Sequence, residues 1–259
     1  MKHALTAVFL SVLLAAGALA AEVPINEHRS VNPDALIEVS LVAGTVRITG
    51  WEKAEMDLTG FLGDELQKLE ITGGKDRLKI EVRLPEGKHH HFEESELVLR
   101  VPRGSQISAD TVSGPITVSE MKARLELNTV SGDLEVKGSP REVKLNTVSG
   151  GITLEDGASL ENADFNTVSG SIEAHLNFRS GGSFSFNTVS GPITLRLPGK
   201  VSGEFEVSTF SGGITSDFGD KPAKKSSFLP AEELEFTVGS GGARVKVNSF
   251  SGPIEIRKE

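Results

Sequence analysis

The sequence predicts an all-β protein, a parallel β-solenoid (β-helix-like) with coils of about 18–21 residues and an N-terminal β region capping the first coil. Three observations carry this reading. A five-residue word recurs seven times, the positions flanking it repeat with the alternation of strands, and no stretch reads as a helix of useful length. In a parallel solenoid each coil stacks on the last at ~4.8 Å, so every position meets its own copy. A tandem array of hairpins, with each Ser-Gly corner as a tight turn, is the alternative. Near-constant residue type at each position favours stacking, which rewards like on like.

Taken in order, residues 1–20 read as a signal peptide: Lys2 and His3, an apolar run from Ala4 to Ala16, then Ala18-Leu19-Ala20 before the cleavage point. The apolar run is too short for a membrane anchor, and no other stretch could span a bilayer. The mature chain is therefore expected to be exported and soluble, periplasmic or extracellular, with no transmembrane segment. With no Cys in 259 residues it is not a lipoprotein. Residues 21–104 form an N-terminal β region containing one solenoid-like unit at 37–48, where Ile37, Val39, Val42, Val46 and Ile48 surround Ala43-Gly44. Alternating runs follow at 56–58, 69–71, 78–82 and 97–101, broken by Gly60, Gly73-Gly74, Pro85 and Pro102. Residues 63–69 are the only candidate for a helical turn.

Residues 105–259 carry the repeats. The word Asn-Thr-Val-Ser-Gly, with Asp110 or Ser208 first in two copies, Ser249 second in one and Phe third in the last two, occupies 110–114, 128–132, 146–150, 166–170, 187–191, 208–212 and 248–252. Its glycines are 18, 18, 20, 21, 21 and 40 residues apart. Forty is close to two periods, so a degenerate copy is expected around 237–242. Counting from the Val or Phe as zero, position −3 holds Ala109, Leu127, Leu145, Phe165, Phe186, Val207 and Val247. Position +4 holds Ile116, Leu134, Ile152, Ile172, Ile193, Ile214 and Ile254. The step of three from −3 to zero breaks strand alternation, so a bend or bulge at the Asn-Thr pair is expected to return the Val or Phe to the core. The structural residues of the repeat are Asn128, Gly132, Asn146, Gly150, Asn166, Gly170, Asn187, Gly191, Gly212, Asn248 and Gly252, with the asparagines bonded to one another up the stack. Residues 217–233 read as a solvated loop excursion, and Arg257-Lys258-Glu259 as a charged end that discourages further stacking.

These residues bear a family resemblance. The segment Gly-Thr-Val-Arg-Ile-Thr-Gly-Trp at 44–51, the entry Leu-Arg-Val-Pro-Arg-Gly at 99–104 and the repeated Val-Ser-Gly-X-Ile words resemble the "putative adhesin" family of unknown function, and are similar to the related adhesin head domains called GIN. The resemblance covers essentially the whole mature chain. It implies an exported bacterial β-solenoid, and some members are associated with envelope stress systems. No catalytic residue belongs to the family pattern, so none carries over.

Composition narrows the function further. A net charge of −9 with no Lys/Arg block argues against nucleic acid as a partner. The absence of Cys excludes disulfides, thiolate zinc sites and thiol nucleophiles. His89-His90-His91, with His28 as a distant partner, is the one ligand-like cluster, but neighbours on a strand face opposite ways, and a solvated turn fits better than a metal site. The exposed carboxylates Glu126, Asp133, Glu135, Glu155, Glu173 and Glu206 are scattered among Lys, Thr and Ser, unlike the paired acids of a glycosidase. What remains is the outward face of the second strand of each coil. Position +5 runs Thr117, Glu135, Thr153, Glu173, Thr194, Thr215 and Glu255. This row reads either as a binding surface for a repetitive ligand or as residues suited to exposed strands. The resulting expectation is a non-enzymatic adhesin-like protein that binds or scaffolds at the bacterial cell envelope, with a glycan, cell-wall polymer or envelope protein as partner. No metal, cofactor or catalytic residue is expected. The alternatives are a carbohydrate-active β-helix enzyme, lyase or hydrolase, and the sensor of an envelope stress response.

Overall fold

The computed structural model describes residues 22–63, 67–84, 94–219, 223–224 and 231–259. The expected signal peptide and His89 to His91 lie outside these residues. All regular structure among them is β-strand.

Nine parallel layers form the body. Strand β2 (Leu36–Trp51) passes through one corner and contributes both halves of a coil. Its first half pairs with β5 (Arg77–Arg83) on one side and β7 (Gln106–Ser113) on the other. Its second half pairs with β6 (Ser95–Pro102) and β8 (Ile116–Ser119). Thus β5 and β6 together make a further coil. The stack continues in register. The first-strand ladder runs through β9 (Arg124–Asn128), β11 (Glu142–Thr147), β12 (Ile152–Thr167) and β13 (Ile172–Ser190). The second-strand ladder adds β10 (Leu134–Lys137), the starts of β12 and β13, and β14 (Ile193–Leu197).

Beyond this point chain order and spatial order part. Strand β19 (Ala243–Ser251) pairs with β13, and β15 (Gly203–Ser211) pairs with the far side of β19. Likewise β20 (Ile254–Lys258) lies between β14 and β16 (Ile214–Ser216). The last coil of the sequence is therefore inserted inside the stack, and its charged C-terminus is not the end of the solenoid. The degenerate copy expected at 237–242 is absent. In its place β18 (Glu232–Val238) pairs antiparallel with β15, and β17 (Ala223–Lys224) pairs antiparallel with β18, so part of the expected 217–233 loop is strand.

The other end is also antiparallel. Strand β4 (Lys68–Gly73) covers β5, while β3 (Glu55–Leu62) covers β6 and β1 (Val23–Ser30) covers β3. Leu69, at the end of the expected helical turn, is in β4. The sheet as a whole is mixed rather than parallel throughout. At this end only β4 and β5 fold back on each other through a short turn, whereas β3 with β6 and β1 with β3 pair strands distant in the chain.

The core is a set of rows. Leu127, Leu145, Phe165, Phe186, Val247 and Val207 stack at −3, and Ile116, Leu134, Ile152, Ile172, Ile193, Ile254 and Ile214 at +4, all buried. Each such side chain contributes about 1.5–3 kcal/mol on burial. Phe165 and Phe186 meet edge to face at 5.3 Å.

The word itself is turned the other way from the expectation. Thr111, Thr129, Thr147, Thr167, Thr188, Thr209 and Ser249 are buried, whereas the Val or Phe that follows each one is exposed. No bulge intervenes, because alternation runs unbroken from −3 through −1. Burial of threonine is permitted by hydrogen bonding: Thr147 Oγ1 donates to Gly132 O at 3.2 Å, and Thr167 Oγ1 to Gly150 O at 3.3 Å. The word's glycines allow the close backbone contact that makes this possible. A Cβ on Gly132 would lie 2.1 Å from Gly114 O. Beside the threonines the amides form a continuous chain: Asn128 to Asp110 at 2.8 Å, Asn146 to Asn128 at 2.8 Å, Asn166 to Asn146 at 3.0 Å, Asn187 to Asn166 at 2.9 Å and Asn248 to Asn187 at 2.9 Å. Ser208 closes it by donating to Asn248 at 2.9 Å.

Candidate binding surfaces

Because every position is stacked on its copy, the outside of the molecule is a set of parallel rows, and three of them are distinctive. The first is the row at +5. In register along the stack it reads Thr117, Glu135, Thr153, Glu173, Thr194, Glu255, Thr215. In chain order the last three are Thr, Thr and Glu, but insertion of the final coil restores strict alternation in space. Stacked glutamates would repel one another, and alternation separates them by two coils, ~9.6 Å. Each glutamate is also paired with a cation at +7. Lys137 Nζ is 2.8 Å from Glu135, Arg196 is 3.1 Å from Glu173, and Arg257 bonds Glu255. Lys137 is held above its usual pKa, first by its hydrogen bond to Glu135 and then by Glu155. The row thus offers alternating hydroxyls and neutralised carboxylates on a straight line.

The opposite wall, the outward face of the first strands, is concave. One hollow of about 580 Å³ is lined by Ser183, Ser185, Glu204, Glu206, Arg244 and Lys246 with neighbouring residues. A second of about 410 Å³ shares Ser183 and Ser185 and continues past Asp164, Lys144 and Arg124. Its charges alternate in sign, with Lys246 3.0 Å from Glu206 and Lys144 3.1 Å from Glu126. Glu206 lines the first hollow, and Glu126 is tied to the second through its ion pair with Lys144.

The third row is the one that sequence reasoning placed in the core. Val112, Val130, Val148, Val168, Val189, Phe250 and Phe210, in spatial order, are 43–59% exposed and run along the corner of the coils. Phe250 and Phe210 are stacked with their ring centroids 5.0 Å apart. The available signal was the unbroken period of two from −5 to −1, which puts zero on the outer face.

The remaining predicted residues are dispersed. His28 bonds Asp57 and lies 3.2 Å from Glu55 on the antiparallel cap, far from any repeat row in the sequence. Among the described residues no cluster of three His, Cys, Asp or Glu side chains is placed to hold a metal ion, and no helix is long and apolar enough to cross a membrane.

A family model described as Toastrack DUF4097 matches residues 43–257. Among solved structures, a "putative adhesin" from Bacteroides fragilis NCTC 9343 is similar at 13% identity, covering 93% of this chain and 100% of that one, with a TM-score of 0.50. A "putative cell adhesion protein" from Clostridium sporogenes ATCC 15579 is similar at 11% identity, covering 91% of this chain and 100% of that one, with a TM-score of 0.38. A "putative adhesin" from Parabacteroides merdae ATCC 43184 has 13% identity, 90% and 96% coverage, and the same TM-score of 0.38. No curated protein matches the chain.

Proposed function

We propose, from the premise that this chain belongs to the Toastrack DUF4097 family, that it is a non-enzymatic, exported, adhesin-like binding protein of the bacterial cell envelope. Its parallel solenoid body serves as a ruler for a repetitive ligand. The observation that carries the proposal is the spatial alternation of Thr117, Glu135, Thr153, Glu173, Thr194, Glu255 and Thr215. Its period of two coils, ~9.6 Å, is on the scale of a disaccharide unit, so a glycan or cell-wall polymer of disaccharide repeats fits the row. Sugar hydroxyls can donate to the glutamates and exchange hydrogen bonds with the threonines. The names of the similar solved structures support an adhesive role without specifying a ligand.

Single contacts of this kind are weak, and linking them along a polymer raises affinity steeply with the number of coils engaged. The test is a glycan and cell-wall polymer array, followed by titration with oligosaccharides of increasing length. Thr153→Ala, Glu173→Ala and Thr194→Ala together should weaken binding at least tenfold. Glu126→Ala, Lys144→Ala and Glu206→Ala on the outward face of the first strands should leave it nearly unchanged. Equal loss in the two variants, or loss only in the first-strand variant, would remove the Thr/Glu row as the binding surface.

A further inference from the structure

The corner row of Val and Phe has no place in the proposed glycan site, and its pattern calls for a cover. Seven exposed positions in seven repeats are apolar, whereas the outward-facing, exposed to half-buried −4 row varies through Ser108, Glu126, Lys144, Asp164, Ser185, Lys246 and Glu206. A solvated position free of contact would vary in the same way. The seven exposed side chains form one ridge about 29 Å long at ~4.8 Å per step, which the half-buried Val42 continues beyond Val112. They present on the order of 500 Å² of apolar surface, near the top of the ~300–600 Å² reached by the largest patch on a monomer.

We propose that this ridge is the dimer interface of the protein, seated against the same ridge of a second copy running antiparallel. Four features of the surface select that occupant. The step of the ridge matches itself, so a second copy supplies an apolar side chain at every interval. Its flanks are a row of Ser on one side and, on the other, a row of Asn and Ser208 with Asp110 as the single charge, which lets two acidic chains approach at this edge. With those flanks included, the footprint reaches about the 800 Å² per partner of a standard interface. Finally, the ridge is graded, with Phe250 and Phe210 at one end and valines elsewhere. Antiparallel alignment sets each Phe against a Val and keeps the two ridges evenly spaced, while parallel alignment sets Phe against Phe and splays the other end. A sugar polymer is a poor occupant, because the crest has no hydrogen-bonding group to replace the water on its hydroxyls.

Sedimentation velocity of the purified protein from micromolar to several hundred micromolar tests this. The expected result is a concentration-dependent dimer whose dissociation constant rises at least tenfold in a Val148→Thr, Val168→Thr, Val189→Thr variant with an unchanged β-type circular dichroism spectrum. Since the chain has no cysteine, single replacements report the alignment independently. Val168→Cys, at the centre of the ridge, should cross-link to itself across the dimer. Val112→Cys should not, but should cross-link to Phe210→Cys in a mixture. A wild-type monomer across the whole range, or a variant as dimeric as wild type, would overturn the interface. Equal self-cross-linking at 112 and 168 would overturn the antiparallel alignment. These outcomes are distinct from those of the glycan test, which concerns a different row.

Discussion

Thr147 and Val148 are near-isosteric neighbours on opposite sides of the coil wall, and hydrogen bonding decides which goes inside. The buried Thr147 hydroxyl serves Gly132 O, and valine there would fill the same space but leave that carbonyl without this donor. Thr147→Val should therefore lower stability by about 1–3 kcal/mol, the usual penalty for orphaning a buried polar group. Val148→Thr, at an exposed strand position, should stay within about 0.5 kcal/mol of wild type. Urea unfolding of the two variants checks the orientation of the whole word, and the reverse ranking would contradict it. Charge at the surface offers a second test. Glu161 is held below the ordinary carboxylate range, first by its hydrogen bond from Arg141 at 2.6 Å and then by the charges of Arg141 and Arg179. A depressed folded-state pKa stabilises above the ordinary value of 4.5, and that stabilisation is lost as the pH falls through the lowered one. Thermal melts below about pH 4.5 should decline less steeply in Glu161→Gln than in wild type, with a small difference because the pair is solvated.

At the level of elements, the most consequential placement is that of β19 and β20. As the last strands in the chain they would be expected to fray, but each is paired on both sides, β19 by β13 and β15 and β20 by β14 and β16. Strands with neighbours on both edges open only with their surroundings, whereas terminal strands open locally. Hydrogen exchange should accordingly find the amides of 245–248 and 254–256 among the slow ones, and those of β4 and β17, paired on one side, among the fast ones. Fast exchange across β19 would return the last coil to the end of the stack. The same placement explains Glu232, whose carboxylate accepts from Ile214 N at 3.0 Å and so satisfies a donor at the start of the outermost second strand.

Across the whole molecule, the parts legible in the sequence are those set by local repetition. Leu, Val, Phe and Ile at −3 and +4 mark the two inward rows because each strand must bury one face. The Asn-Thr-Val-Ser-Gly word marks the corner because only glycine fits there: a Cβ on Gly132 would lie 2.1 Å from the neighbouring coil's Gly114 carbonyl oxygen. Three things were not legible. Thr and Val at adjacent positions invite the more apolar one inside, and only the partner carbonyl, one coil away, reverses that choice. The order of the final coils was hidden because identical rows stack equally well in either order. The antiparallel caps carry the same alternation as the parallel strands, so periodicity alone cannot separate them. The proposed binding row depends on the second of these, since its alternation exists only in spatial order. Position zero reports that order directly. The disulfide limit on Cα separation is about 7 Å, and neighbouring coils lie ~4.8 Å apart while second neighbours lie ~9.6 Å apart. In dilute, oxidised protein, the Val189→Cys, Phe250→Cys double variant should close an intramolecular disulfide and the Val189→Cys, Phe210→Cys variant should not. Closure of the second pair without the first would restore the coils to chain order and contradict the account.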